Sequence, residues 1–153
     1  MAEAPIADPG RKFHRLNTDG GIIAAQGQAA GEAAIGVILK DPDGSEVHHI
    51  SARIGWAINH HIAEYRALIA GLRLARGHGI DHLRILLDST LVVNHVNRES
   101  RVGADYVDLC AEARSLLGQF VDFQVSHVPR RENREADALA NRALRPKTSS
   151  PGG

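Results

Sequence analysis

Residues 62–88 read IAEYRALIAGLRLARGHGIDHLRILLD and contain the clearest secondary-structure signal in the chain. Apolar residues recur there at the spacing of one helix face, namely Ile62, Tyr65, Leu68, Ile69, Leu72 and Ala75. The pattern predicts a helix over residues 62–76, which the glycines within residues 77–79 would end. Residues 83–87 form a short run with apolar residues at both odd and even positions, as is typical of a strand buried on both faces of a sheet. Asp88 then stands at the carboxyl end of that strand.

Three strands are expected before this helix. The segment from Phe13 to Asp19 predicts a strand that ends in a turn at residues 20–21, because two glycines supply the backbone freedom that a turn needs. Residues 33–40 form a second apolar run, and the sequence DPDG at residues 41–44 has the chemistry of a hairpin turn. Residues 46–55 form the returning strand, so these segments predict an antiparallel meander.

The remainder of the chain predicts three helices and one more strand. Ser89 can cap a short helix through Asn97, and residues 104–117 have the pattern of another helix. The alternating residues of the final strand are Val121, Phe123 and Val125. Pro129 ends that strand, and the last helix is expected over residues 132–144. The whole order predicts an α/β domain with a mixed sheet and helices on both faces.

Length and composition agree with a single globular domain. The 153 residues fit one compact domain, and the 43% hydrophobic and 24% charged residues are typical of a soluble globular protein. Residues 11–145 are expected to form this domain, between flexible tails at residues 1–10 and 146–153. We expect no membrane association, because no apolar run reaches the roughly 18 residues of a transmembrane helix.

Charge and cysteine content restrict the function classes. The 18 basic and 18 acidic residues balance, so any binding of nucleic acid has to come from local charges rather than the net charge. The single cysteine, Cys110, cannot form an internal disulfide, which favours a reducing, cytoplasmic location.

Four carboxylates lie at the ends of strands or on the packing sides of helices. Asp19 and Asp88 end two strands, so neighbouring strands would bring them to one sheet edge. As alternatives, Asp19 is a turn former and Asp88 a helix cap. Glu64 borders the packing face of its helix, although the helix dipole also favours a glutamate in the first turn. Asp137 lies on the apolar side of the last helix, where its alternative is an ion pair with Arg134 or Arg142.

Four converging acids would repel one another unless cations neutralised them. An all-oxygen ligand set suits Mg²⁺ or Mn²⁺, and the sequence has no Cys/His constellation that would indicate structural zinc. Two such ions a few ångströms apart are a known solution for in-line displacement at phosphorus.

Four runs of sequence together carry a family pattern: NTDGG at 17–21, IAEYRAL at 62–68, DSTLVV at 88–93 and NREADALA at 133–140. In this order they resemble type 1 ribonuclease H, over about residues 11–145. The resemblance implies a five-stranded mixed sheet, three antiparallel strands followed by two parallel additions, flanked by helices. It also implies that the catalytic, metal-binding acids are Asp19, Glu64, Asp88 and Asp137.

The resemblance further implies an endonuclease that hydrolyses the RNA strand of RNA–DNA hybrids. Two Mg²⁺ or Mn²⁺ ions would act, one on the attacking water and one on the departing 3′ oxygen, leaving 5′-phosphate and 3′-hydroxyl ends. Recognition of RNA would rest on its 2′-hydroxyl groups, and the substrate contacts would come from Gly20, Gly21, His60 and His61. Other RNA-containing duplexes remain possible substrates, and a monomer is expected.

This chain departs from the family pattern at several positions. His60 and His61 replace a pair of asparagines found in many relatives, and a metal role for them is the weaker interpretation because the expected ions prefer oxygen. His127 stands ten residues before Asp137, where relatives use a mobile histidine for proton transfer; alternatively, it only ends a strand. A basic handle inserted in some bacterial relatives is missing between Asn97 and Ala104.

Basic residues near the last helix form either a phosphate contact or a solvated helix face: Arg130, Arg131, Arg134, Arg142, Arg145 and Lys147.

There are two rival functions. One is a catalytically weak domain of the same fold that binds nucleic acid. The other, a nucleotide-binding protein, would need a glycine-rich loop before a helix, and the sequence has none.

Overall fold

The structure is a computed structural model and describes residues 12–145. Its elements are β1 (His14–Ala24), β2 (Gly31–Lys40), β3 (Glu46–Ala57), α1 (His60–Gly77), β4 (His82–Leu87), α2 (Thr90–Val96), a 3₁₀ turn (Ala104–Tyr106), α3 (Val107–Leu117), β5 (Asp122–His127), a second 3₁₀ turn (Arg130–Glu132) and α4 (Arg134–Leu144). The tails expected at residues 1–10 and 146–153 lie outside the described residues.

One sheet runs through the described part of the chain, with the strand order β3-β2-β1-β4-β5. β1, β2 and β3 pair antiparallel, whereas β4 is parallel to β1 and β5 is parallel to β4. The predicted α/β fold, with three antiparallel strands and two parallel additions, is therefore confirmed.

The helices cover both faces of this sheet. A Cβ atom built on Gly20 would meet the backbone of Ala63 in α1, whereas one built on the next residue, Gly21, would meet Leu144 in α4. Because successive strand residues point to opposite faces, α1 and α4 pack on opposite sides of the sheet. The main core lies on the α1 side, where Leu16, Val37, Tyr65, Leu68 and Leu72 are fully buried.

The prediction that β1 ends at Asp19 is wrong. β1 continues through Gly20 and Gly21 to Ala24, and these two glycines pair with Ile35 and Ala34 of β2. Gly20 is needed for a different reason than a turn: a Cβ atom there would overlap the backbone of α1, so only a glycine lets the helix pack this closely. Asp19 therefore lies inside a strand.

Most other predicted boundaries agree with the structure to within about two residues, as is usual for helix ends. α1 begins at His60 because the Asn59 side chain accepts a hydrogen bond from the Ile62 backbone N–H over 3.1 Å. α4 begins at Arg134 rather than at residue 132, since a 3₁₀ turn comes first. Val121 precedes β5, and both Val121 and Phe123 are exposed, at 63% and 44%, so only Val125 of the three alternating residues is buried.

The connection between α2 and α3 is short, and the described chain has only the 3₁₀ turn Ala104–Tyr106 between them. The expected absence of an inserted basic helix therefore holds for residues 97–107. Among residues 12–145, none of the helices combines the length and the apolar character that crossing a membrane requires.

Candidate active site

Asp19 lies at the centre of the site. It is only 8% exposed, and its partner across the ladder to β2 is Gly36. A Cβ atom at Gly36 would overlap the Ala136 carbonyl of α4, so this helix packs directly on the strand beside Asp19. Close packing at Gly20 on one face and at Gly36 on the other thus brings α1 and α4 to the same point of β1.

Glu64 reaches the site from the first turns of α1. Its side chain is 14% exposed and accepts a hydrogen bond from the Ser89 hydroxyl, the residue that also caps α2. The close approach of Gly20 to the Ala63–Glu64 peptide fixes this end of the helix against β1. The prediction that Glu64 borders the packing face of its helix is confirmed.

Asp88 follows β4 directly. β4 pairs parallel to β1, and Leu86 is level with Asn17, so two residues further on Asp88 comes beside Asp19. Carboxylate oxygens of Asp19, Glu64 and Asp88 all lie within 4.8 Å of one another. These three residues line a small open cleft together with Thr18, Leu87, Ser89 and Val92.

Asp137 lies on the other side of Asp19 and is not part of this group of three. Its side chain shares a hydrogen bond with the Asp19 carboxyl and accepts one from the Asn141 amide at 3.3 Å. The nearest basic group is Arg130, whose Nη2 atom is 3.7 Å from the Asp137 Oδ1 atom. The alternative partners Arg134 and Arg142 are therefore wrong. As the Arg130 side chain is 81% exposed, its ion pair contributes little stability.

The carboxylates of the site change one another's pKa values. Burial, the Asp88 charge and the hydrogen bond with Asp137 raise the pKa of Asp19 from the usual 3.8 to about 8. Burial also raises the pKa of Glu64, although the Ser89 hydrogen bond and the nearby His60 oppose this increase. Without cations, Asp19 therefore keeps its proton at neutral pH and donates a hydrogen bond to Asp137.

The residues present fit a hard divalent cation. Their donor set consists of carboxylate oxygens, the ligands that Mg²⁺ and Mn²⁺ prefer. One carboxylate oxygen of Glu64, Oε2, is buried without a hydrogen-bond partner, and an unsatisfied buried acceptor is uncommon unless an ion or water binds it. Asp19 is close to Glu64 and Asp88 and shares a hydrogen bond with Asp137, so it adjoins both parts of the acidic cluster.

His60 and His61, predicted as substrate contacts, are the first two residues of α1. His60 is exposed, and the His61 ring lies with its centroid 4.0 Å from that of His60. Burial lowers the pKa of the His61 imidazole. The other predicted contacts, Gly20 and Gly21, are half-buried where the helices pack over β1.

His127 is the last residue of β5 and is exposed. It pairs with Leu87 in the parallel ladder, so it stands one residue away from Asp88 across the two strands. The structure therefore places this histidine both at a strand end and beside the acidic cluster.

Sequence reasoning missed the groups that hold α4 against β1. Asn133 is 1% exposed; its amide donates to the Thr18 carbonyl at 3.0 Å, and its carbonyl oxygen accepts from Asn17 at 2.9 Å. Both asparagines stood in the recognised motifs, but no local pattern indicated that they would meet. Tyr106 was missed as well: its hydroxyl accepts a hydrogen bond from Asn59, the cap of α1, at 3.0 Å.

The predicted basic cluster is divided between two places. Arg130 stands beside Asp137, whereas Arg142 and Arg145 line an open groove with Arg53 at the other end of α4. Arg53 also donates to the Ala143 carbonyl at the end of that helix. Lys147 lies outside the described residues.

Comparisons with known proteins agree with this architecture. The family described as reverse transcriptase-like matches residues 17–143. The chain is 41% identical over 115 residues to ribonuclease HI of Halobacterium salinarum, which is 74% of this chain and 57% of that protein. The chain therefore spans little more than half the length of this relative, and it spans 35% of a bifunctional Mycobacterium tuberculosis protein to which it is 38% identical.

Solved structures show the same likeness over nearly their full lengths. RNase H1 from Halobacterium salinarum superposes with a TM-score of 0.79 at 38% identity, covering 86% of this chain and 97% of that one. The N-terminal RNase H domain of a Mycobacterium tuberculosis protein gives 0.80 at 32% identity, covering 87% and 99%. LC11-RNase H1, solved in complex with an RNA/DNA hybrid, gives 0.76 at 31% identity, covering 86% and 96%. The chain therefore belongs to the reverse transcriptase-like family and, within it, to the type 1 ribonucleases H.

Proposed function

We propose that the protein is a metal-dependent endonuclease that hydrolyses the RNA strand of RNA–DNA hybrids. The observation that carries this proposal is the cluster of Asp19, Glu64 and Asp88, whose oxygens lie within 4.8 Å of one another. Such a cluster around a buried carboxylate is electrostatically unfavourable unless it binds cations. Membership of the ribonuclease H family indicates the class of reaction that the cluster would catalyse.

Asp19, Glu64, Asp88 and Asp137 would hold Mg²⁺ or Mn²⁺, and we infer two ions because Asp19 adjoins both Asp137 and the other two acids. The bound ions would supply the charge that makes water a better nucleophile and stabilises the departing 3′ oxygen, leaving 5′-phosphate and 3′-hydroxyl ends. The protein's own contribution is to orient the acids. Asp19 also has to release its proton, since only the carboxylate form binds cations.

An RNA–DNA hybrid is the proposed substrate, and the likeness to LC11-RNase H1 bound to such a hybrid supports it. The half-buried Gly20 and Gly21 and the histidines at the start of α1 would contact the 2′-hydroxyl groups and phosphates near the acids. The neutral net charge of the chain is compatible with this, because Arg130 supplies a local positive charge beside Asp137. We further infer a monomer in a reducing cytoplasm, where the buried, free Cys110 would persist.

His127 is proposed to carry a proton between the cleft and solvent. His127 is exposed and pairs in the β4–β5 ladder with Leu87, the residue before Asp88, and histidine exchanges protons near neutral pH. It would accept or donate this proton at the open edge of the site, without contributing to metal binding.

The decisive experiment uses an end-labelled RNA–DNA hybrid with Mg²⁺, with Mn²⁺ and with chelator. The same assay is run on single-stranded RNA, double-stranded RNA and double-stranded DNA. We expect cutting of the RNA strand of the hybrid only when a divalent ion is present. The double-stranded RNA lane reports whether other RNA-containing duplexes are substrates.

Asp88→Asn should lower the cleavage rate roughly a hundredfold or more, because losing several kcal/mol of charge stabilisation has that effect. The matched control is Asp81→Asn, which makes the same change at the exposed, opposite end of β4. Equal loss of activity in both variants would contradict the assignment. Hybrid binding without cutting under either metal would support the alternative, a catalytically weak domain that binds nucleic acid.

A further inference from the structure

His60, His61 and Glu64 form a cluster at the start of α1 with a ligand set different from that of the acids. Glu64 follows His60 by four residues and His61 by three, the two spacings that bring side chains together on one face of a helix. A ring nitrogen of each histidine and a carboxylate oxygen of Glu64 all lie within 4.8 Å of one another. We propose that these three residues bind a transition-metal ion such as Zn²⁺, at a second site that shares Glu64 with the acidic cluster.

Two unsatisfied atoms face each other in this cluster. The His61 Nδ1 atom and the Glu64 Oε2 atom are both buried without a hydrogen-bond partner, and they are 3.5 Å apart. Their contact is a His–Glu ion pair without a hydrogen bond, so both atoms remain available as ligands of one ion. Two ligands of one tetrahedral Zn²⁺ ion, at bond lengths of about 2.05 Å, lie about 3.3 Å apart. The observed separation is therefore close to that of a zinc ligand pair.

The environment of the cluster suits metal entry. His60 is exposed, so an ion can reach the site from solvent, and its ring already lies close to that of His61, at 4.0 Å between centroids and tilted by 40°. The ring of Tyr106 stands edge-on to His61, with 6.0 Å between the centroids, so an aromatic ring borders one side of that imidazole. Oriented ligands of this kind raise metal affinity, because less ordering is left for the binding step.

The two sites would select different ions. Imidazole nitrogens favour Zn²⁺, Co²⁺ or Ni²⁺ over Mg²⁺, whereas the carboxylates of Asp19 and Asp88 favour hard cations. Both sites use Glu64, and two cations this close repel each other. Zinc bound by the histidines should therefore weaken Mg²⁺ binding at the acids. The second site itself does not depend on the proposed nuclease activity, although competition between the two metals would lower that activity.

The test titrates the metal-free protein with Co²⁺, follows the visible absorption that nitrogen ligation produces, and then displaces the Co²⁺ with Zn²⁺. We expect one Co²⁺ per chain with such a spectrum. The affinity should fall at least tenfold in His60→Asn and in His61→Asn. Urea melts of both variants check that they fold, and His60→Asn is the safer of the two because this residue is exposed.

Two controls separate the outcomes. His48→Asn/His49→Asn removes another adjacent histidine pair, on β3, and should leave the Co²⁺ spectrum unchanged. Asp88→Asn should also keep the spectrum, because Asp88 belongs only to the acidic cluster. The proposal would be overturned if wild type gave no spectrum of nitrogen-ligated Co²⁺. It would also be overturned if His60→Asn and His61→Asn both kept that spectrum. Cobalt binding as expected in a protein that cuts no hybrid would refute the nuclease function and leave this site standing.

Discussion

Asp19 shows how one residue depends on its surroundings. An aspartate in solution is ionised at neutral pH, but burial and three neighbouring acids raise the pKa of Asp19 to about 8. Cations and the proton therefore compete for the same carboxylate. Asp19, whose alternative interpretation was a turn former, lies inside β1, and its protonation links stability to metal binding.

The first prediction concerns the stability of the metal-free protein. The folded-state pKa of Asp19 is raised, so its stabilising contribution is complete below its usual pKa of 3.8 and is lost as pH rises through about 8. In chelator, the free energy of unfolding should fall by about 1 kcal/mol between pH 7 and pH 9. Urea melts of wild type and Asp19→Asn measure this. The amide variant should show a clearly smaller dependence; identical slopes would mean that Asp19 does not titrate in this range.

The second prediction concerns His127. If it moves a proton at the edge of the cleft, His127→Ala should slow turnover about tenfold or more, and added imidazole should restore part of the rate. His49→Ala, at an exposed histidine of β3, serves as the control and should retain full activity. An unchanged rate in His127→Ala would mean that this residue only ends β5.

At the scale of elements, the site depends on how closely two helices approach β1. Gly20 admits α1 and Gly36 admits α4, each at a position where a Cβ atom would overlap helix backbone. The side chains of Asn17 and Asn133 then hold the start of α4 at the strand. These contacts carry Glu64 and Asp137 to opposite sides of Asp19.

The third prediction tests the approach of α4. Gly36→Ala should destabilise the protein by about 1–3 kcal/mol, because an added methyl group in a packed interior forces backbone shifts. It should also lower cleavage by moving Asp137. Gly77→Ala adds the same methyl group at the end of α1, where nothing lies within 4 Å, and should be neutral or stabilising. Thermal melts and hybrid cleavage of both variants provide the comparison; similar behaviour would argue against close packing at Gly36.

The fourth prediction tests the asparagine contact. Asn133→Ala removes the partners of the Thr18 carbonyl and the Asn17 amide, which should cost about 1–3 kcal/mol in unfolding free energy. Asn94→Ala on α2 is the matched control, for which we expect a change within about 0.5 kcal/mol. Urea denaturation checks both. A stability loss in Asn133→Ala no larger than in the control would show that this contact does not hold α4.

At the scale of the whole molecule, the fold concentrates negative charge at one point of a chain whose net charge is zero. Arg130 offsets this charge only weakly, because it is exposed to solvent. Once Asp19 has lost its proton, folding therefore works against repulsion among the acids until cations bind. Binding and stability should be linked for this reason.

The fifth prediction follows from that linkage. A ligand that binds only the folded state at a hundred times its dissociation constant adds about 2.7 kcal/mol of stability. Mg²⁺ or Mn²⁺ should therefore raise the melting temperature of wild type, and raise it less at pH 6 than at pH 8, because protons compete for Asp19. Asp88→Asn should respond weakly to either ion, whereas Asp81→Asn should respond as wild type does. A melting temperature that no divalent ion changes would contradict metal binding at the acids.

The sequence alone predicted the elements and the identity of the acids. Helix α1, the turn at residues 41–44 and the capped start of α2 depend on neighbours within a few residues, so local periodicity and turn chemistry were sufficient. The order of the four motifs identified the family, and the strand arrangement followed from it.

Only the folded chain established how these residues meet. Gly20 was interpreted as a turn residue, because its contact with Ala63 involves a helix more than forty positions away. The pairing of Asn17 with Asn133 likewise depends on packing between β1 and the start of α4. The same holds for the pKa of Asp19, which is set by burial and by charges from three other elements. Local sequence cannot encode such distances, since they arise when helices and strands that are remote in the chain pack together.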